Sequence, residues 1–366
     1  MRRIDMNSTE AHPHRNLSAR PFIVLTLALS VALVGCTGGG DPSPTTDPNS
    51  PTGPVSLVGA ECSELAGIDD IRSLLNDAVE PVENLFSPSG TWPLASVGLR
   101  QAGGLQCEWS DAANQAGEYE ALLEVDIVPN AADEWGTWHT AMSGNYPNES
   151  DDGTMLWTCT SSLGGRYHYC DYDVFAGGNW AAISINNIAP DADTTALVTT
   201  IVAALEGATS TAAEWTAPPL TGLPETCEAL LSLDTIRTTL GVDDMDVRET
   251  PLLMPYVLNT GLDGALNCSW SNPYSSVTGT PLQVVVLPGA SWAWEASWAA
   301  ERPDHSPAHA VEGLGDAAFA GCQPIDNPPC FVDVLINGAW ISLDGKGAAD
   351  ERTLTELAAE VLATLG

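Results

Sequence analysis

Apolar and polar positions follow two different periods along this chain, and the order of those periods occurs twice. Counting from Cys62, offsets +3, +6, +9 and +13 are Leu65, Ile68, Ile71 and Leu75; counting from Cys227, they are Leu230, Leu233, Ile236 and Leu240. Apolar residues three to four apart line one side of a helix, so each set predicts a helix with one buried face. In both copies offset +7 is acidic (Asp69, Asp234) and offset +10 is arginine (Arg72, Arg237). Gly241 is placed to stop the second of these helices.

The period then shortens to two. Leu105-Gln106-Cys107-Glu108-Trp109-Ser110 and Leu266-Asn267-Cys268-Ser269-Trp270-Ser271 each predict a strand with Cys and Trp on one face. Residues 120–129 and 282–288 predict a partner strand in each copy, and a tryptophan follows six residues beyond the closing proline (Trp135, Trp294) inside a predicted helix. Cys170 and Cys330 are each followed by Asp-Val (Asp173-Val174, Asp333-Val334) and, ten residues on, by Trp180 and Trp340. Gly177-Gly178 and Asn337-Gly338, just before those tryptophans, suit hairpin turns. Amphipathic segments at 194–205 and 352–365 predict a closing helix for each copy.

Offsets shared over this length imply tandem duplication, with domains at 56–208 and 222–366 joined by a linker at 209–221. The elements lack regular strand-helix alternation. The expected class is therefore α+β: two homologous domains, each a mostly antiparallel sheet with helices packed on one face.

The N-terminal segment has a different character. Residues 21–35 are an apolar run behind Arg2, Arg3, Arg15 and Arg20, too short to span a bilayer, and they end in Leu33-Val34-Gly35-Cys36. That layout reads as a processed export signal over 1–35. The tetrad resembles the lipobox of bacterial lipoproteins, which implies that Cys36 is lipidated, becomes the first mature residue and holds the protein on the extracytoplasmic face of the cell membrane. Residues 37–55 are almost all Gly, Pro, Ser, Thr, Asp and Asn, a flexible tether that cannot bury enough apolar surface to fold.

Export sets an oxidising compartment, so the other eight cysteines read as disulfide partners, four per domain. Four cysteines allow three pairings. Proximity and repeat symmetry favour Cys62 with Cys107, Cys159 with Cys170, Cys227 with Cys268, and Cys322 with Cys330. Removing residues 1–35 lowers Lys plus Arg from 12 to 8 and Asp plus Glu from 48 to 46, a net charge of −38. Such a surface repels nucleic acid.

Sequence motifs for catalysis are absent: the chain has no Gly-x-Ser-x-Gly elbow, Ser-x-x-Lys pair, His-Glu-x-x-His helix or phosphate loop. His139, His168, His305 and His309 follow the signal, and none falls at a position shared by the two copies. Pro307 between His305 and His309 disfavours the helix that would align them on a metal. Gly313-Leu314-Gly315-Asp316-Ala317-Ala318 fits a dinucleotide fingerprint only superficially, because a cysteine-bearing strand follows where a helix is required. Acidic pairs such as Asp69-Asp70 and Asp151-Asp152 lack the order of a calcium loop. No cofactor, metal or catalytic residue is expected. Trp138, Trp292 and Trp298, the tryptophans that the copies do not share, are the candidates for a ligand groove.

The second copy's Cys227 to Gly241 pattern, Cys268-x-Trp270 and Gly313-Leu314-Gly315-Asp316-Ala317-Ala318 resemble the actinobacterial secreted lipoproteins grouped as a domain of unknown function. The first copy matches at Cys62 to Leu75 and Cys107 to Trp109, with Ser162-Leu163-Gly164-Gly165 in place of Gly-Leu-Gly-Asp. The resemblance implies an envelope-anchored α+β domain similar to extracytoplasmic sensor domains and brings no catalytic residues. The expected function is a non-catalytic lipoprotein that binds an envelope protein or a small amphipathic ligand, with the bilayer as partner of its acyl anchor. An envelope enzyme with a site in one domain, or an accessory docking subunit, is the alternative.

Overall fold

Two seven-stranded sheets organise the chain, one in each half. The computed structural model describes residues 53–82, 93–111, 120–162, 167–210, 212–243, 245–249, 265–271, 282–299, 308–322, 329–347 and 349–366. The expected export signal over 1–35, Cys36, residues 37–52 of the expected tether, Ser162-Leu163-Gly164-Gly165 beyond its first residue, and His305 lie outside them.

The first half contains α1 (Cys62–Leu65), α2 (Ile68–Leu74), β1 (Glu80–Pro81), α3 (Pro93–Gln101), β2 (Leu105–Ser110) and β3 (Leu122–Val128). It continues with α4 (Ala132–Met142), β4 (Asn148–Glu149), β5 (Met155–Ser162), β6 (Tyr167–Ala176), β7 (Asn179–Ile188) and α5 (Thr195–Gly207). The second half contains α6 (Cys227–Leu230), α7 (Leu233–Leu240), β8 (Asp246–Glu249), β9 (Leu266–Ser271), β10 (Leu282–Leu287) and α8 (Ser291–Ala299). It ends with β11 (His309–Ala310), β12 (Ala317–Cys322), β13 (Pro329–Ile336), β14 (Ala339–Lys346) and α9 (Glu351–Leu365).

The first sheet has the order β1-β2-β3-β7-β6-β5-β4; read from the matching edge, the second is β8-β9-β10-β14-β13-β12-β11. Every neighbouring pair is antiparallel. The two halves are therefore the same α+β fold built twice. The β6–β7 and β13–β14 hairpins turn on two residues each, Gly177-Gly178 and Asn337-Gly338, all with positive φ as a type I′ turn requires.

Four disulfides form, two per half, in the pairing that proximity favoured. Cys62–Cys107 and Cys227–Cys268 tie the first helix of each half to its sheet, and Cys159–Cys170 and Cys322–Cys330 join directly opposed residues of neighbouring strands. On the loop-entropy account the longer closures contribute about 4 kcal/mol each and the shorter about 3 kcal/mol.

The helix at the start of each half is two helices rather than the one expected. Ala66 and Leu231 adopt extended backbone between the pieces. In the second half Ser232 then caps α7, its Oγ accepting from the Thr235 N–H at 3.1 Å. A hydroxyl that can satisfy the first turn of a new helix competes with continuation of the old one. Gly241 ends α7 in the left-handed conformation, as its position suggested.

Each sheet is covered on both faces. On one face α5 buries Leu197, Val198, Ile201 and Leu205 against Leu123, Val125, Ile183 and Ile185; α9 does the same in the second half with Leu354, Leu357 and Val361. The opposite faces carry the tryptophan helices: Trp135 and Trp138 of α4 pack on Val128, Leu156 and Trp180, and Trp294 of α8 packs on Val285, Leu287 and Trp340. Most helices share one face, as expected, and the period-two alternation of half-apolar strands makes the other face available to α4 and α8.

The helix α3 has no forecast in the repeat pattern, and it joins the halves. Its Leu99 packs on the first sheet with Val128 and Trp138, while Leu94 and Val97 pack on the second with Val285, Leu287 and Trp340. Gln101, buried at its end, donates from Nε2 to the Pro288 carbonyl at 3.0 Å. Linker residues Trp215 and Pro218 lie close against Gly289, whose positive φ and lack of a side chain permit the approach. The linker is thus packed at this point.

Candidate functional site

The unusual chemistry lies on the α4 side of the first sheet. Cys107, Trp109, Leu123 and Val125 face the core beneath α5, so alternation sends Gln106, Glu108, Glu124 and Asp126 to the other face. The register sets them in two rows. Glu108 stands opposite Glu124, Glu124 opposite Ser184, and Ser184 opposite Asp171; alongside, Gln106 stands opposite Asp126, Asp126 opposite Ala182, and Ala182 opposite Asp173. Five carboxylates thereby share one sheet face.

Two of the five are well satisfied. Asp173 accepts from Trp180 Nε1 at 3.0 Å and Tyr146 OH at 2.8 Å, and Asp171 accepts from Ser184 Oγ at 2.7 Å. The other three are not matched by charge. Gln106 Nε2 reaches Glu124 Oε1 at 3.1 Å, yet Gln106 Oε1 and Asp126 Oδ1 are buried without a hydrogen-bond partner. Asp126 is only 3 % exposed, whereas Glu108 and Glu124 are half-buried.

Burial moves all five toward the protonated form. Desolvation, then the neighbouring charges of Glu124 and Glu120, pushes Glu108 up to about 7. Burial also raises Glu124, against the Gln106 hydrogen bond, and holds Asp126 well above the carboxylate range with Glu124 adding to it. Asp173 rises to about 6 through burial, moderated by Tyr146 and Trp180, and burial raises Asp171 too. The groups acting on Glu108 and Asp126 are other carboxylates and one amide, with no cation among them.

The second half lacks most of this row. At matching register positions it has Ser269 for Glu108, Gln283 for Glu124, Val285 for Asp126 and Phe331 for Asp171. What both halves keep is the aspartate beneath the buried tryptophan: Trp340 Nε1 donates to Asp333 at 3.0 Å, as Trp180 does to Asp173. The second half has one acid of its own, Asp344, raised to about 8 by burial and then by Asp333.

The expected groove tryptophans do not assemble into one site. Trp138 is fully buried, its ring between Trp135 at 5.6 Å and Trp180 at 5.2 Å, so it is core and leaves no surface for a ligand. Trp292 lies against Gly53 of the incoming tether. Trp298 is half-buried and stacks on Phe319 with centroids 4.3 Å apart. These aromatic rings fill volume between helix and sheet.

Other sequence motifs resolve plainly. Gly313 and Gly315 both have positive φ in a turn that leads directly into β12, so the glycine-rich stretch opens a strand. Asp69, Asp70 and Asp151 are exposed, Asp152 accepts from Ser150 and Thr154 in its own turn, and His309 meets Glu351 at 3.3 Å. Among the described residues no group of three or more His, Cys, Asp or Glu side chains has the arrangement of a metal site. Ser161 Oγ and His168 Nδ1 lie 2.7 Å apart on β5 and β6. Ser161 is exposed, and no described carboxylate orients the far side of that imidazole, so the pair lacks the third member of a hydrolytic triad.

Sequence reasoning missed Glu108, Glu124 and Asp126. The alternation Leu123-Glu124-Val125-Asp126-Ile127 was visible, but outward acids on an amphipathic strand are ordinary. No protein-family model, no curated protein and no solved structure matches this chain.

Proposed function

We propose that this chain is a non-catalytic lipoprotein of the actinobacterial secreted kind, anchored through Cys36 on the extracytoplasmic face of the cell membrane, whose first domain binds a ligand on its acidic sheet face. The observation that carries this reading is the row Glu108, Glu124 and Asp126. Like charges directly opposed on neighbouring strands destabilise a sheet. The second half builds the same fold with Ser269, Gln283 and Val285 at those positions, so folding does not require the acids. A local rule broken in one copy and obeyed in the other is a mark of function.

The anchor reading rests on the apolar run, the basic residues before it and Leu33-Val34-Gly35-Cys36. Cys36→Ala is expected to move the protein from the membrane fraction to the medium; retention of the variant in the membrane would defeat the anchor. For ligand binding, the full chain purified from its own envelope is compared by native mass spectrometry before and after denaturation and refolding. A bound mass lost on refolding is the expected result, and an identical apo mass in both samples counts against a tightly held ligand.

A further inference from the structure

Resting on the ligand-binding reading above, we propose that Gln106, Glu108, Glu124 and Asp126 form a site for a small organic polycation, a linear polyamine or a molecule with equivalent primary ammonium groups. Three observations point there. The first is the sign and kind of what is missing. Asp126 Oδ1 and Gln106 Oε1 are both buried and neither has a hydrogen-bond partner. An ammonium group supplies three N–H donors and a positive charge at once, which answers both the unpaired acceptors and the uncompensated acids. Most buried polar groups in native proteins are paired, and here two oxygens without a partner belong to neighbouring residues of one sheet face.

The second observation is reach. Glu108 and Glu124 are half-buried while Asp126 lies nearly enclosed beside them. A ligand that touches the inner carboxylate must therefore be slender, which favours an unbranched alkylammonium over a folded protein surface.

The third is shape. Neighbouring strands lie ~4.8 Å apart and residues two apart along a strand ~6.8 Å, so Glu108 on β2 and Glu124 and Asp126 on β3 are set off from their nearest neighbour in the site by ~5–7 Å at the backbone. Charges set off by that distance suit a cation whose nitrogens are separated by a short alkyl chain. They suit a single metal ion poorly, because an ion needs its oxygens converging at one point, and no described cluster converges in that way.

The second half sharpens the assignment. Ser269, Gln283 and Val285 replace the three acids, so one polycation site per chain is expected.

The test is calorimetric titration of the full chain in detergent micelles with spermidine, near neutral pH and physiological salt. Saturable binding at one site is expected, weakened about tenfold or more in Glu108→Gln/Glu124→Gln and in Asp126→Asn, as for loss of a charge-assisted hydrogen bond. Glu134→Gln, on the exposed side of α4, is expected to bind like the parent. These exchanges remove repulsion, so the variants fold, which is checked by unchanged circular dichroism. Equal affinity in parent and double variant would mean diffuse attraction to an acidic surface and overturn the site. Calcium binding in preference to spermidine would overturn the polyamine assignment. If envelope-purified protein carries a bound mass that is not an amine and spermidine does not bind, ligand binding survives and the polycation falls. If neither is seen, both fall.

Discussion

The α4 face of the first sheet and the α8 face of the second occupy equivalent places in equivalent folds, and they differ in what lies next to the shared Asp–Trp pair. Beside Asp173 and Trp180 the first sheet has Glu108, Glu124, Asp126 and Asp171; beside Asp333 and Trp340 the second has Ser269, Gln283, Val285 and Phe331. The shared pair belongs to the fold common to both halves: the fully buried Trp180 and Trp340 each donate the indole N–H to the aspartate beneath it. The unshared row is free to serve something else. The two halves share their packing and differ in the polar residues of this face.

If the Asp–Trp pair is structural in both halves, Trp180→Ala and Trp340→Ala should destabilise to the same degree. About 3–5 kcal/mol is expected for each, from the cavity and the unpaired aspartate, in urea unfolding followed by circular dichroism. A loss at one site below half that at the other would break the equivalence.

The halves also differ in what covers them, because Leu94 and Val97 of α3 pack on the second sheet. Leu94→Ala is expected to cost about 2–4 kcal/mol. Its effect should appear as faster hydrogen exchange in β10 and β14, although the residue belongs to the first half. Loss of protection confined to β2 and β3 would contradict that coverage.

The last expected effect concerns pH. A carboxyl whose folded pKa is raised binds its proton more tightly folded than unfolded, so the stability it contributes is present at low pH and declines as pH rises. For Glu108 the decline spans from its ordinary 4.5 to about 7. For Asp344 it runs from 3.8 to about 8. The loss is the greater for Asp344, whose shift is the larger. Glu108→Gln should flatten the midpoint of thermal unfolding below about pH 7, and Asp344→Asn should flatten a slope that continues above it. Identical profiles for parent and both variants would remove the electrostatic difference between the halves.

The repeat offsets, the class of fold, the disulfide pairing and the Asp–Trp spacing were all legible from residue order. Each depends on local period or on features that occur twice: apolar residues three to four apart, alternation of two, an acid and an indole at matching offsets from a cysteine. Capping was legible only in part. Gly241 announced a helix end, while the break at Ser232 did not stand out, because a serine within an apolar period is compatible with either outcome.

Tertiary structure alone decided where each face ended up. The bridging role of α3 depends on a neighbour more than 180 residues away in the chain, the Gln101 to Pro288 contact. Trp138 became core because α4 settled onto Trp180. The acids of β2 and β3 became a candidate site for the same reason. Along the chain they are the outward residues of amphipathic strands, and only the burial of that second face turns ordinary solvated carboxylates into uncompensated ones.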